Sequence, residues 1–335
     1  MLSGYWVGGS VLRGVRQSTF QTKKYAISRL TRLWIVLIPA ILLTQIVDRI
    51  GSVLYGESDV YAGSAAYHTV LPIDGTLAHL GPLTTLGNLF FVQGIHVSAI
   101  GTNTPLWSLA NEFWYYLIFP AAVVAIASRV ATRWRIIAVC VFLVGGLIAG
   151  GQVMALFPTW LAGATLAWFE PAIRSWLNRH KQRTISALRW TLGVVLFGGC
   201  ALTVAFDLNQ YVAAAIVGLL TSAFLASLIT DVQVTPLSRL TIVPLGRAAE
   251  WSYSLYATHV PVIAFVSAAL ISSASARWEM APSTLIAGIG VILIASLAAV
   301  GMYLVFERQT NRVRQIVLRG ASTLQEVSKN ELRGP

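Results

Sequence analysis

Three groups of residues in this sequence have types and spacings suited to chemistry. The stretch 107–116 reads Trp-Ser-Leu-Ala-Asn-Glu-Phe-Trp-Tyr-Tyr, and its Glu112 is the only charged residue between Asp74 and Arg129. The stretch 251–261 carries Ser252, Tyr253, Tyr256 and His259. On a helix, Tyr253 and Tyr256 share a face at i and i+3, and so do Tyr256 and His259. Arg29 and Arg32 have the same spacing just before an apolar run. A histidine titrates close to neutrality and suits a general base. Two guanidiniums on one face can hold a phosphate through paired hydrogen bonds. Each group also has a plainer use. Glu112 can tie two helices together, His259 can be a satisfied bundle histidine, the tyrosines can be interfacial aromatics, and the arginines can anchor topology. No second ligand stands at i+3 or i+4 of Glu112 or His259, so no metal is expected.

The elements that must position these residues follow from composition. Of the 335 residues, 56% are hydrophobic and 11% charged, against about 25% charged in soluble domains. The mean hydropathy is +0.69. A helix needs about 20 apolar residues to cross a bilayer. Such runs fall near 33–50, 107–127, 136–150, 152–169, 190–206, 213–230, 251–271 and 282–306. The fold class expected is all-α, a polytopic transmembrane bundle of about eight full spans preceded by a partial span at 1–12. Pro39 is expected to kink its helix. Cys140 and Cys200 lie in apolar runs and suggest neither a disulfide nor a metal site.

The net charge of +11 could suit a nucleic acid, but its distribution argues for a membrane and against that partner. If 13–32 is cytoplasmic and the spans alternate, every lysine and arginine except Arg49 and Arg277 falls on the cytoplasmic side. That holds only if the apolar run 83–95 does not cross. It is therefore expected to be re-entrant or interfacial and covered by protein. The uncharged run 136–169 must then be a hairpin turning near Gly150 and Gly151. The C-terminus is cytoplasmic, and His68, His79 and His96 lie outside, where they could touch an acceptor or be ordinary loop histidines. Ionisable groups in a bilayer are costly and are functional candidates by default. Well inside these spans stand Glu112, near the outer end of its helix, and His259, near the midplane. Glu112 is thus expected across the membrane from Arg29 and Arg32, with Trp107 and Tyr116 packed around it.

In order, several segments resemble the acyltransferase-3 family of integral-membrane acyltransferases. These are Leu2-Ser-Gly-Tyr-Trp-Val-Gly; Ser28-Arg-Leu-Thr-Arg-Leu with Pro39; Leu106-Trp-Ser-Leu-Ala-Asn-Glu-Phe-Trp-Tyr-Tyr with Pro120; Leu245-Gly followed by Trp251-Ser-Tyr-Ser-Leu-Tyr-Ala-Thr-His-Val-Pro; and Phe306-Glu-Arg, with Gln309 where the family usually has proline. The resemblance covers nearly the whole chain. It implies a membrane domain over 1–306 and a basic cytoplasmic tail over 307–335. It also implies that the family's first helix and part of the second are missing here. That helix carries a histidine, preceded by an arginine, central to catalysis, so no residue in this sequence inherits those roles.

The resemblance further implies movement of an acyl group, usually acetyl, from cytoplasmic acyl-coenzyme A to a hydroxyl of a surface polysaccharide or lipid-linked glycan. No permanently bound cofactor is implied. Acyl-CoA is the donor substrate, and the partners are membrane lipid and the acceptor. The chain would sit in a bacterial cytoplasmic membrane. The residues assigned are His259 and Glu112 for catalysis and Arg29 and Arg32 for the donor's phosphates. Trp107, Ser108, Tyr116, Ser252, Tyr253, Tyr256 and Glu307 support them. The competing readings are a non-catalytic membrane scaffold and a transporter or flippase. The inverted repeats common in transporters are not visible here.

Overall fold

The computed structural model describes residues 1–67, 69–128, 130–229, 246–271, 273 and 281–331, side chains of 321–331 excepted. His68, Arg129, Thr230, Leu245, Arg277 and the tail beyond 331 lie outside the described residues. Every regular element among the described residues is helical: α1 (Gly9–Arg16), α2 (Thr22–Tyr55), α3 (Asp59–Ala62), α4 (Pro82–Leu89), α5 (Trp107–Ile126), α6 (Thr132–Asn178), α7 (Gln182–Ala205), α8 (Gln210–Ser227), α9 (Ser252–Leu270), α10 (Pro282–Val305) and α11 (Thr310–Glu331). The chain is an all-α polytopic bundle, and seven of its helical stretches are long and apolar enough to cross a membrane. Their outward faces carry bare apolar side chains such as Leu147, Phe197 and Ile286. Such faces would be aggregation-prone in water and are at home in lipid.

Helix α6 has 47 residues. At a rise of about 1.5 Å per residue it would be about 70 Å long, more than twice a hydrocarbon core. Gly150, at φ 73° and ψ 176°, breaks it, a conformation that glycine adopts without a Cβ penalty. Ile118 of α5 lies against Gly145, while its neighbour Phe119 packs edge-on against Trp160 with ring centroids 4.9 Å apart. In a straight helix Gly145 and Trp160 would be about 22 Å apart along the axis. The two halves of α6 therefore fold back on each other, the hairpin that the uncharged run 136–169 requires. Counting both halves, the helices match the expected spans. Helix α2 continues through Pro39 to Tyr55, and α4, at eight residues, is too short to cross.

The chain forms two compact units, 1–21 with 114–235 and 22–113 with 236–335. In the first, the N-terminal turn Gly4–Gly8 and α1 lie along the second half of α6. Gly4 meets the Trp160 carbonyl, Gly8 the Ala164 side chain, and Gly163 the Met1 carbonyl. Small residues let the backbones approach closely where lipid offers no hydrophobic drive between helices. Tyr115 donates to the Val153 carbonyl at 2.8 Å and stacks on Phe157.

In the second unit α9 packs on α2 and α10, and α11 packs on α2. The segment between α2 and α5 folds against α2 through buried polar groups. Asp48 accepts from the Thr102 amide (2.7 Å) and hydroxyl (2.9 Å). Asn103 donates to Thr44 Oγ1 (2.9 Å) and to the Ala257 carbonyl (2.8 Å). Trp34 Nε1 donates to the Leu89 carbonyl at 3.0 Å. Asn88 and Gln93 are fully buried, so protein covers the non-helical backbone after α4, as irregular structure at membrane depth requires.

Candidate active site

The starts of α2, α9 and α11 and the end of α10 enclose a pocket of about 610 Å3. Arg29, Arg32, Arg308 and Arg314 line it, with Ser252, Tyr253 and Glu307. The pair expected to grip phosphate thus shares a cavity with three of the supporting residues. Arg32 lies over the Tyr253 ring at 5.9 Å and Arg29 over Tyr25 at 5.7 Å. Such stacking helps to orient the planar guanidiniums. Both carboxylates of the pocket are engaged. Glu250 accepts from the Tyr303 hydroxyl at 2.9 Å. Glu307 accepts from the Ser254 amide (3.1 Å) and hydroxyl (2.5 Å). Trp251 provides no side-chain cap for α9, so Glu307 fills that place from another element, a favourable site for a carboxylate at a helix N-terminus. Its role is to hold the start of α9.

One turn further along α9, Tyr256 donates to the Pro105 carbonyl at 2.5 Å and meets Ser108 Oγ at 2.6 Å. Glu112 is within electrostatic reach of the same hydroxyl. Ser108, Glu112 and Tyr116, at i, i+4 and i+8, share a face of α5. The His259 ring follows Tyr256 at a centroid distance of 6.0 Å. His259 Nδ1 lies 2.9 Å from the Tyr256 carbonyl and 3.1 Å from the Leu255 carbonyl. Carbonyls only accept, so Nδ1 carries the hydrogen and Nε2 keeps the basic lone pair of the neutral ring. In that tautomer, Nε2 of half-buried His259 is the ring nitrogen able to accept a proton.

These contacts correct the expected depth of Glu112. Tyr253 faces the arginine pocket, and Tyr256 is about 4.5 Å further along α9. Glu112 therefore stands beside the same row of side chains, which starts at the arginine pocket. Spacing along the chain could not reveal this, because the irregular segment before α5 brings Pro105 and Ser108 against Tyr256. Trp107 is exposed, with Gly94 against its Cβ.

Some residues escaped the sequence reading. Arg308 and Arg314 passed for tail charges that orient the protein, yet they face the pocket, and Arg314 reaches Ser28 Oγ at 3.5 Å. Arg308 belongs to the Phe306-Glu-Arg segment and Arg314 stands six residues beyond it, which was the available signal. Asp48 stood two residues from the expected end of its span. The helix runs on to Tyr55, leaving Asp48 fully buried and so a third ionisable group well inside the spans.

An all-helical bundle with lipid-facing flanks and a polar, arginine-mouthed row inside it defines an integral membrane protein with an enzyme-like site. The chain belongs to the acyltransferase-3 family: the family model, described as an acyltransferase domain, matches residues 1–300. It is accordingly a membrane acyltransferase, acting on groups other than aminoacyl. Comparison with curated proteins and with solved structures found no match.

Proposed function

We propose that this acyltransferase moves an acyl group, acetyl in the first instance, from cytoplasmic acyl-CoA to a hydroxyl of a surface polysaccharide or lipid-linked glycan in a bacterial cytoplasmic membrane. The observation that carries the reading is the arginine pocket opening beside the Tyr253, Tyr256 and His259 row. Coenzyme A is polyanionic, and a mouth of four arginines whose two carboxylates are already hydrogen-bonded suits its phosphates. The pocket then lies on the cytoplasmic side with the C-terminus. Residues 1–306 form the membrane domain, and the tail 307–335 lends Arg308 and Arg314 to the donor mouth.

The thioester extends from the pocket along α9. His259 Nε2 takes the proton of the acceptor hydroxyl as its oxygen attacks the thioester carbonyl, and the same proton passes from Nε2 to the departing thiolate as the carbon–sulfur bond breaks. Glu112 and the Ser108–Tyr256 pair orient the acceptor hydroxyl. Acyl-CoA is a substrate, and the site holds no resident cofactor.

The test uses membranes containing the full chain, acetyl-labelled CoA and a glycan-bearing lipid fraction. Label is expected in the glycan, released by mild base as an oxygen ester should be, and sharply reduced in the double variant Arg29→Ala/Arg32→Ala. Transfer at an unchanged rate in that variant removes the phosphate assignment, and label that stays in CoA removes the acceptor assignment.

A further inference from the structure

A second group of reactive side chains lies away from this row. His79 Nε2 is 2.7 Å from Asp74 Oδ1, and His79 Nδ1 is 2.6 Å from Ser98 Oγ. The Asp74 carboxyl is held below its usual range, chiefly by this hydrogen bond from His79. A carboxylate only accepts, so Nε2 carries the ring hydrogen. Nδ1 is then the lone pair that receives the Ser98 hydroxyl hydrogen. The roles are those of the acid, base and nucleophile of a serine triad, with the two ring nitrogens exchanged: the carboxylate is on Nε2 and the hydroxyl on Nδ1.

The scaffold around the three residues is stapled. The buried Asn88 donates to the Ser98 carbonyl at 3.0 Å and accepts from the Ile100 amide at 3.2 Å. The Gly101 amide donates to the His79 carbonyl at 3.2 Å. Gln45 and Arg49 of α2 both donate to the carbonyl of the next residue, Leu80. The backbones carrying base and nucleophile are thus tied to each other and to a long helix, the second layer of support a preorganised site needs. Ser98 itself is exposed and His79 is largely covered, so the nucleophile is accessible while its base is fixed.

We propose that Ser98, His79 and Asp74 form a nucleophilic site that accepts short acyl groups from carboxylic esters. Ser98 Oγ attacks the ester carbonyl carbon, and its proton passes to His79 Nδ1. The bond from that carbon to the leaving oxygen breaks, the leaving alcohol takes the proton from Nδ1, and Ser98 keeps the acyl group as an ester. A second hydroxyl, from water or a sugar, then attacks this ester with its proton passing through the same nitrogen. Asp74 holds the ring in the required tautomer and stabilises it while it is charged. The site needs no thioester and does not depend on acyl-CoA being the donor of the first.

The experiment exposes the detergent-purified full chain to a fluorophosphonate probe, which labels activated serines, and maps the labelled peptide by mass. Label is expected on Ser98, absent in Ser98→Ala and at least about 100-fold slower in His79→Gln, the lower range for losing a positioned base. The same samples should show a burst with 4-nitrophenyl acetate that disappears in Ser98→Ala. Because Ser98 is exposed, that variant should keep the thermal midpoint of the parent. An unlabelled Ser98, or labelling unchanged in His79→Gln, overturns the proposal. Failed labelling beside intact transfer from acetyl-CoA removes this site alone. Labelling beside absent transfer leaves it standing and removes the donor reading.

Discussion

In residues 22–113 and 236–335 the fully covered side chains include Thr44, Asp48, Asn88, Gln93, Thr102, Asn103, Ser254 and Thr258. In residues 1–21 and 114–235, Ser227 is the one buried polar side chain other than aromatic ones among those described. The latter unit is held by close glycine and alanine approaches and aromatic stacks. The former is threaded by hydrogen bonds that each had to be matched when their groups left water. All the proposed chemistry falls in the polar unit. The difference is that between a packed framework, tolerant of any apolar filling of the right size, and a unit in which side-chain identity decides geometry.

Variants that break this contrast should differ in kind as well as in size. The largest effect is expected in the polar unit: His259→Ala should lower acyl-transfer kcat by about 100-fold or more with the thermal midpoint unchanged, checked by steady-state kinetics and by unfolding in detergent. Asp48→Ala is expected to act through the fold, leaving the Thr102 amide and hydroxyl without their acceptor. Each buried unsatisfied group costs about 1–3 kcal/mol, so a clear drop in midpoint should accompany the loss of activity.

In the framework unit, Gly163→Ala drives a methyl group into the Met1 carbonyl and the Tyr5 amide. Overpacking of this kind costs about 1–3 kcal/mol. The yield of folded protein should fall while activity per folded molecule stays at the parent value. A kinetic defect per molecule would erase the proposed contrast.

The smallest effect concerns pH. Asp74 is exposed, and its folded-state carboxyl is held low by His79. Any stability it adds is present above the ordinary carboxyl pKa, near pH 4, and is lost as pH falls through the depressed value. Asp74→Asn should therefore slightly lower the midpoint in the neutral region, leave it unchanged at the acid end, and so flatten the acid limb of a midpoint-against-pH curve.

Much of this was legible in the sequence, for reasons the structure makes clear. Apolar runs and the sidedness of arginines gave the spans, and the lack of charge over 136–169 gave the α6 hairpin before Gly150 was seen to turn it. Residues close in sequence kept their neighbours: Tyr253, Tyr256 and His259 share a row because helical spacing alone puts them there. What depended on the path of irregular chain was hidden. Nothing in the order of residues tells how deep the segment before α5 reaches, so the meeting of Ser108 with Tyr256 could not be foreseen. The same blindness covered Asp48, whose partner Thr102 lies 54 positions away. It also covered His79 and Ser98, brought together from 19 positions apart by loops without regular periodicity.

The central claim is that the arginine pocket of the polar unit receives the donor's phosphates. The most direct measurement is calorimetric binding of CoA and of phosphate-free pantetheine to the detergent-purified chain and to Arg32→Ala. Charge-assisted hydrogen bonds are worth about 1.5–3 kcal/mol, about tenfold or more in affinity. CoA should therefore bind more tightly than pantetheine, and Arg32→Ala should cut the affinity for CoA by about that factor while leaving pantetheine unchanged. Equal affinity of both proteins for CoA would contradict the account.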